Sequence, residues 1–119
     1  PEVWADPDRL DQILANLMEN AVRHGAGTVS LSVVPIGREG DESIAVTISD
    51  EGEGISPEQY PMIFTRFWHG ATRGGTGLGL YVVRGLVEAH GGKITVGRAA
   101  AGGAEFRFTL PAGAPEHVI

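Results

Sequence analysis

The order of elements along this sequence predicts an α/β (α+β) fold, a two-layer sandwich in which a mixed, mostly antiparallel sheet is covered on one face by about three helices. Two observations lead to this prediction. Two long segments show helical periodicity, and two pairs of β-rich runs are each joined by turn residues. Strands joined in hairpins are antiparallel, so a sheet built from them cannot be wholly parallel.

The first element is an amphipathic helix over residues 8–24. Asp6 followed by Pro7 is typical of an N-cap with proline in the first turn, and Gly25 is expected to end the helix. Apolar residues recur at the i, i+3, i+4 spacing of one helix face. They are Leu10, Ile13, Leu14, Leu17, Met18, Ala21 and Val22.

Four β-rich runs follow in two hairpins. The runs 28–34 (TVSLSVV) and 43–49 (SIAVTIS) alternate in polarity and flank the turn-rich stretch PIGREGDE. The runs 93–96 and 104–110 are separated by the Gly102-Gly103 turn.

Two further helices are predicted between the hairpins. A short one covers 57–64, with Ser56 as its N-cap, and a long one covers 78–90 and stops at Gly91. The loop between them, over 67–76, is rich in glycine. The apolar side of the long helix is expected to carry Leu78, Val82, Leu86 and Ala89.

Length and composition favour one domain over residues 1–111 with a flexible tail over 112–119. Because the sequence begins at Pro1 without Met, we expect this domain to be excised from a longer protein. A net charge of −6 argues against a nucleic-acid surface. The absence of cysteine excludes disulfides and thiolate metal sites. No apolar run reaches the length of a membrane span.

The stretch GGTGLGL, residues 74–80, places four glycines directly before a helix. Such a loop presents bare backbone N–H groups to a phosphate. A P-loop would need a lysine after the glycines, and a dinucleotide fingerprint would need glycine where Leu80 stands. Both of these phosphate-binding motifs are therefore excluded.

Four segments of the chain, taken together, indicate a protein family far more specifically than any one of them alone. In order, DQILANLMENAVRHG, DEGEGI, IFTRF and GGTGLGL resemble the N, G1, F and G2 boxes of the catalytic ATP-binding (HATPase_c) domain of bacterial two-component sensor histidine kinases. That family belongs to the GHKL superfamily and has the Bergerat fold. The resemblance implies a protein histidine kinase activity, of which this chain holds the ATP side, with ATP and Mg²⁺ as cofactors.

In the N box, Asn16, Asn20 and Arg23 share one polar stripe of the helix. The resemblance implies that Asn20 binds Mg²⁺ through its amide oxygen and that Arg23 lies near the phosphates. His24 flanks the nucleoside or lies on the surface at the helix end. Hydrolytic members of the superfamily carry a Glu where Asn16 stands. Since an amide cannot act as a general base, we expect ATP to be kept from water and its γ-phosphate to pass to a protein acceptor.

In the G1 box, the resemblance makes Asp50 the acceptor for the adenine amine, with Gly52, Gly54 and Ile55 beside the base. Glu51 and Glu53 are interpreted as solvated turn charges, and Glu19 as a supporting group or a solvated charge.

In the F box, Phe64 and Phe67 are expected to pack, and Arg66 to contact phosphate or form a surface ion pair. The catalytic set implied is Asn16, Asn20 and Arg66. Phosphate binding is assigned to the glycine loop and the helix after it: Arg73, Gly75, Thr76, Gly77, Leu78, Gly79 and Leu80.

None of the four histidines, His24, His69, His90 and His117, resembles a phosphoacceptor. The expected partners are a helical dimerisation/phosphoacceptor domain of the same or a partner kinase and a downstream response regulator, with no nucleic acid and no direct membrane contact. The resemblance implies a cytoplasmic location and leaves a membrane anchor elsewhere open. Two alternatives share the fold: an anti-sigma-type serine kinase and a nucleotide-gated interaction module.

Overall fold

The computed structural model describes residues 6–38, 40–66, 68 and 79–112, apart from the side chain of His24. Two helices and a four-stranded sheet confirm the predicted two-layer α/β architecture. The elements are α1 Pro7–His24, β1 Ser30–Arg38, β2 Asp41–Ser49, a 3-10 turn Pro57–Gln59, α2 Gly79–Ala89, β3 Ile94–Arg98 and β4 Ala104–Pro111.

The strands lie in the order β1-β2-β4-β3, and every ladder among them is antiparallel. Both predicted hairpins are therefore confirmed. The first strand begins and ends later than predicted because all nine residues of β1 pair with the nine of β2. At the far end of the chain, the Ala112 N–H still donates to the Glu42 carbonyl at 2.9 Å, whereas residues 113–119 lie outside the described residues.

The core lies between one face of the sheet and the two helices. In α1 the residues that are buried, such as Ile13 and Leu17, lie on the predicted apolar face. Phe106 and Phe108 of β4 are the aromatic centre of the core, and the ring of Phe64 meets Phe106 edge-on at 6.2 Å. The expectation that Phe64 packs is confirmed, while Phe67 lies outside the described residues.

The two helices run antiparallel, and a hydrogen bond joins them at each end of their contact. The Asn16 amide Nδ2 donates to the carbonyl of Gly79 at 3.4 Å. At the other end, the Asp6 N–H donates to Nε2 of His90 at 3.3 Å, and His90 Nδ1 lies 2.8 Å from the Leu86 carbonyl. These contacts fix the start of α2 against the middle of α1.

The helix ends partly follow the sequence signals. Asp6 caps α1 as predicted, since its Oδ1 accepts from the Asp8 N–H at 2.9 Å. Gly91 ends α2 with φ +83°, which favours glycine. Gly25 follows α1 with extended backbone instead, so its role there is not a left-handed stop.

Two helix predictions were wrong in detail. The short helix over 57–64 contracts to Pro57–Gln59. The Ser56 hydroxyl donates to the Glu58 carboxylate and does not accept from a backbone N–H as an N-cap would. In α2 the buried residues are Leu80, Val83 and Val87. Of the predicted set, Leu86 is half-buried against the core, Ala89 is exposed, and Leu78 lies outside the described residues. This helix is apolar on most of its circumference, so periodicity alone could not select the side that packs. None of the described helices combines the length and the apolar character that a membrane span requires.

Gly85 offers a direct test of the helix layer. It lies exposed within α2, and a Cβ built there meets nothing within 4 Å. Replacing Gly85 by alanine lowers the conformational entropy of the unfolded chain, so we expect the free energy of unfolding to rise by about 1 kcal/mol. Thermal and urea unfolding monitored by circular dichroism would measure this, and destabilisation would show that the exposed face of α2 is wrongly placed.

Candidate nucleotide-binding site

A cleft of about 1040 Å³ opens where α1 ends and where β2 runs into its following loop. Its volume is at the upper end of the range for small-molecule sites. The residues that line it are Asn20, Arg23, Gly25, Ala26, Asp50, Glu51, Gly52, Glu53, Gly54, Ile55, Ser56, Pro57, Gln59, Trp68, Arg98 and Ala104.

Asp50 is the buried acid of this cleft, with 5% of its surface exposed. Its N–H donates to the Ala104 carbonyl at 3.1 Å, which continues the β2–β4 ladder by one residue. Its Oδ1 accepts from the Gly52 N–H at 2.8 Å. Oδ2 receives no hydrogen bond from the described residues. Every fully buried side-chain oxygen among these residues has a hydrogen-bond partner, so Oδ2 is not fully buried. Oδ2 is therefore accessible from the cleft as a free acceptor.

Three glycines from separate segments enclose Asp50. A Cβ on Gly103 would lie 2.2 Å from both the backbone oxygen and Oδ1 of Asp50, and one on Gly25 would lie 2.5 Å from its Cγ. A Cβ on Gly52 would lie 2.9 Å from the Ala26 nitrogen. Real Cβ contacts are not this short, so these positions admit only glycine without a shift of the backbone.

Sequence reasoning assigned Gly25 only to the end of a helix and Gly103 only to a turn. Nothing local in the sequence shows that both approach Asp50. Gly103 reaches it only when the β3–β4 hairpin pairs beside β2, and Gly25 only when the end of α1 lies against the end of β2.

The N-box residues divide between the cleft and the helix interface. Asn20 and Arg23 line the cleft, and their roles towards metal and phosphate stay predictions. Arg23 is also held by Glu19, whose Oε1 lies 2.8 Å from its Nη2 along the same exposed helix face. Asn16 lies outside the cleft lining, with its amide against the first turn of α2. Its proposed part in catalysis stays a prediction.

The other G1-box residues assigned to the base also lie at the cleft, and their contact with adenine stays a prediction. Gly52, Gly54 and Ile55 line the cleft, and Gly54 has φ +79°, a conformation that favours glycine. Trp68 also lines the cleft and packs partly against the core, which the sequence did not predict.

Arg66 lies away from the described lining. Its guanidinium carbon is 5.7 Å from the centre of the exposed Tyr81 ring, at the start of α2. This cation–π contact is the arrangement observed for Arg66, and contact with phosphate stays a prediction.

Most of the predicted phosphate loop lies outside the described residues, namely Arg73, Gly75, Thr76, Gly77 and Leu78. Of the others, Gly79 is exposed as the first residue of α2, and the side chain of Leu80 is buried in the core. Leu80 can therefore contact a ligand only through its backbone. The first N–H groups of a helix have no acceptor within it, so the start of α2 provides donors.

Glu51 is exposed in the turn after β2, as the sequence suggests, but its carboxylate also holds backbone. Its Oε1 accepts from the Thr28 N–H at 2.7 Å, and its own N–H donates to the Ala26 carbonyl at 2.9 Å. Gly27, with φ +69°, turns under this carboxylate. Glu51 thus holds the α1–β1 loop, which carries Gly25 and Ala26, against the cleft.

We expect the change Glu51→Ala to accelerate hydrogen exchange at the Thr28 N–H and to lower the free energy of unfolding by about 1 kcal/mol, because the amide loses its charged acceptor. Glu51→Gln keeps an acceptor oxygen and should retain most of the protection. Equal exchange rates in all three proteins, measured by NMR, would show that this contact does not hold the loop.

A metal site made of protein ligands alone is not present in the described part of the chain, where no three His, Cys, Asp or Glu residues converge. Asn20 supplies a neutral amide oxygen at the cleft. One such ligand fits Mg²⁺ that is bound largely through substrate phosphates and water.

The fold and the cleft define a class: a two-layer α/β domain with a buried carboxylate at a glycine-lined cleft. The chain belongs to the family of histidine kinase-, DNA gyrase B-, and HSP90-like ATPases, whose model matches residues 5–114.

Known proteins of this family are similar along nearly the whole chain. The sensor histidine kinase ZraS of Klebsiella oxytoca is 44% identical over 109 residues, which are 92% of this chain and 23% of that protein. The mycobacterial sensor histidine kinase MprB has a TM-score of 0.79 at 27% identity over 95% of this chain and 78% of the solved one. The ATP binding domain of PrrB from Mycobacterium tuberculosis has a TM-score of 0.74 at 28% identity, over 96% and 77%. The chain thus spans less than a quarter of the length of ZraS.

Proposed function

We propose that this chain is the ATP-binding catalytic domain of a sensor histidine kinase. It positions Mg·ATP for transfer of the γ-phosphoryl group to a histidine on a separate dimerisation/phosphoacceptor domain, from which the phosphoryl group passes to a response regulator. The observation that supports this most is the rigidly held Asp50, whose free Oδ2 is accessible from a cleft that Asn20 also lines.

The adenine base is recognised at the Asp50 end of the cleft. A carboxylate oxygen accepts a hydrogen bond from the exocyclic amine, and a buried acceptor rejects a ligand that cannot donate there. Oδ1 is already engaged by the Gly52 N–H, so the carboxylate is fixed before the nucleotide arrives. This preorganisation reduces the ordering cost of binding.

The phosphates extend from the base towards Asn20 and the start of α2. Asn20 would hold Mg²⁺ through its amide oxygen, and the metal would neutralise phosphate charge during transfer. The backbone N–H groups at the start of α2 would complete the phosphate site. Asn16 links α1 to this helix start at Gly79, so the two parts of the phosphate site are held together.

The acceptor histidine lies on another domain. Within the described residues, His90 engages both of its ring nitrogens, with the Leu86 carbonyl and the Asp6 N–H, and lies at the far end of α2 from the cleft. A structural role leaves this imidazole unsuited to accept a phosphoryl group. In this proposal the domain acts on the cytoplasmic side, where ATP and the response regulator are available.

Incubation of the chain with radiolabelled Mg·ATP and the phosphoacceptor domain of its parent kinase tests the proposal. We expect label on that domain that is labile in acid and stable in base, as for phosphohistidine. Acid-stable label on a partner protein would instead support a serine kinase. Saturable ATP binding that promotes partner binding without transfer of label would support the nucleotide-gated module.

A further inference from the structure

We propose that Arg98 is a further ligand-binding residue of this cleft and contacts the adenosine part of the nucleotide. This inference rests on the proposed function, since it requires that the base lies against Asp50. Arg98 was not among the residues that the sequence singled out, and neither its neighbours in sequence nor the four boxes indicate a role for it.

The strand register places Arg98 in one row with Asp50. Ile48, Phe106 and Val96 are in register across β2, β4 and β3, and belong to or pack on the core. Two residues further along the strands, the next row on the same face comprises Asp50, Ala104 and Arg98. The Asp50 N–H donates to the Ala104 carbonyl, and Arg98 is the register partner of Ala104. Side chains two residues apart on a strand point to the same face, so Arg98 projects from the face that carries the helices and the cleft.

The spacing of this row suits a flat ring. Neighbouring strands lie just under 5 Å apart, so the backbones of Asp50 and Arg98 are separated by about 10 Å. Between them lies Ala104, which is buried and whose side chain is only a methyl group, so it leaves room for a ring above the strand. A purine resting on Ala104 with its amine on Asp50 would bring its face or its ribose end within reach of the long Arg98 side chain.

Arg98 is also available for a ligand. It is exposed, it lines the cleft, and it forms no ion pair with any residue that the structure describes. The other cation of the described lining, Arg23, is already paired with Glu19. A guanidinium plane stacks readily on aromatic rings and donates to ribose hydroxyls or ring nitrogens.

The experiment compares adenosine, ADP and ATP as ligands of the wild-type chain and of the variants Arg98→Ala and Arg98→Gln. Arg107→Ala is the matched control, since Arg107 is an exposed arginine of the same sheet but pairs with Thr47 and Thr95 in the row on the opposite face. Dissociation constants are measured by NMR titration for adenosine and by calorimetry for the nucleotides. Thermal unfolding of each variant confirms that it is folded.

We expect both Arg98 variants to bind all three ligands more weakly by the same factor, about fivefold for a cation–π contact at a partly exposed site. The control should bind as the wild type does. In the wild-type chain, the Nε–H resonance of Arg98 should shift when adenosine alone is added, and this measurement does not depend on any variant.

Unchanged affinities together with an unmoved Nε–H resonance would overturn this inference. A loss that grows with the number of phosphates would also overturn it, because it would place Arg98 at the other end of the nucleotide. If instead the wild-type chain binds none of the ligands, the proposed function itself fails, which is a distinct result.

Discussion

Replacing Gly103 by alanine is expected to abolish nucleotide binding and to lower the free energy of unfolding by about 2 kcal/mol. The new Cβ would lie 2.2 Å from the backbone oxygen and from Oδ1 of Asp50, so the carboxylate and the strand end must both move. Asp50 would then lose the position from which Oδ2 accepts the adenine amine. Calorimetry with Mg·ATP measures the first effect and urea unfolding measures the second.

The matched control is Gly97→Ala on the neighbouring strand β3, where a Cβ meets nothing within 4 Å. Alanine is not unfavourable at an open strand position, so this variant should remain folded and bind Mg·ATP normally. Wild-type affinity in the Gly103 variant would show that Asp50 is not held by the glycines around it, and the geometric basis of the base site would be lost.

The change Asn20→Ala is expected to remove the dependence of ATP binding on Mg²⁺. The amide oxygen of Asn20 is the protein ligand proposed for the metal, and alanine provides no oxygen in its place. The affinity for ATP in the presence of Mg²⁺ should fall to the value measured in EDTA, while the affinity for adenosine stays unchanged. Helix stability should not suffer, because alanine is the better helix former.

Gln12→Ala serves as control for this experiment, since it removes an exposed amide from an earlier turn of the same helix. Its binding should retain the full response to Mg²⁺. A persistent metal effect in the Asn20 variant would assign the metal to other ligands and would leave Asn20 as a lining residue only.

The part of the site that the sequence predicted is the part encoded in short segments. Asn20 and Arg23 lie on one stripe of a strongly periodic helix, and Asp50, Gly52 and Gly54 follow directly on an alternating strand, so local geometry was enough to bring each group to the cleft. The roles came from the resemblance of the four boxes, because spacing alone does not identify a ligand.

The part that the sequence did not predict depends on contacts between distant segments. Gly103, Ala104 and Arg98 reach the cleft only because β4 pairs between β2 and β3. The carboxylate of Glu51 accepts from a backbone N–H 23 positions away in sequence, whereas the sequence indicates only a solvated turn charge. Arg66 stacks over Tyr81 because the chain returns along α2, which no local pattern at Arg66 indicates.

In the proposed function one cleft, between Asn20 at the end of α1 and Asp50 at the end of β2, binds Mg·ATP. Calorimetric titration of Mg·ATP into the wild-type chain and into Asp50→Ala tests it most directly. We predict saturable binding of one nucleotide to the wild type and at least a tenfold loss, about 1.4 kcal/mol or more, in the variant. No binding heat with the wild type, or equal affinity in the two proteins, would contradict the account.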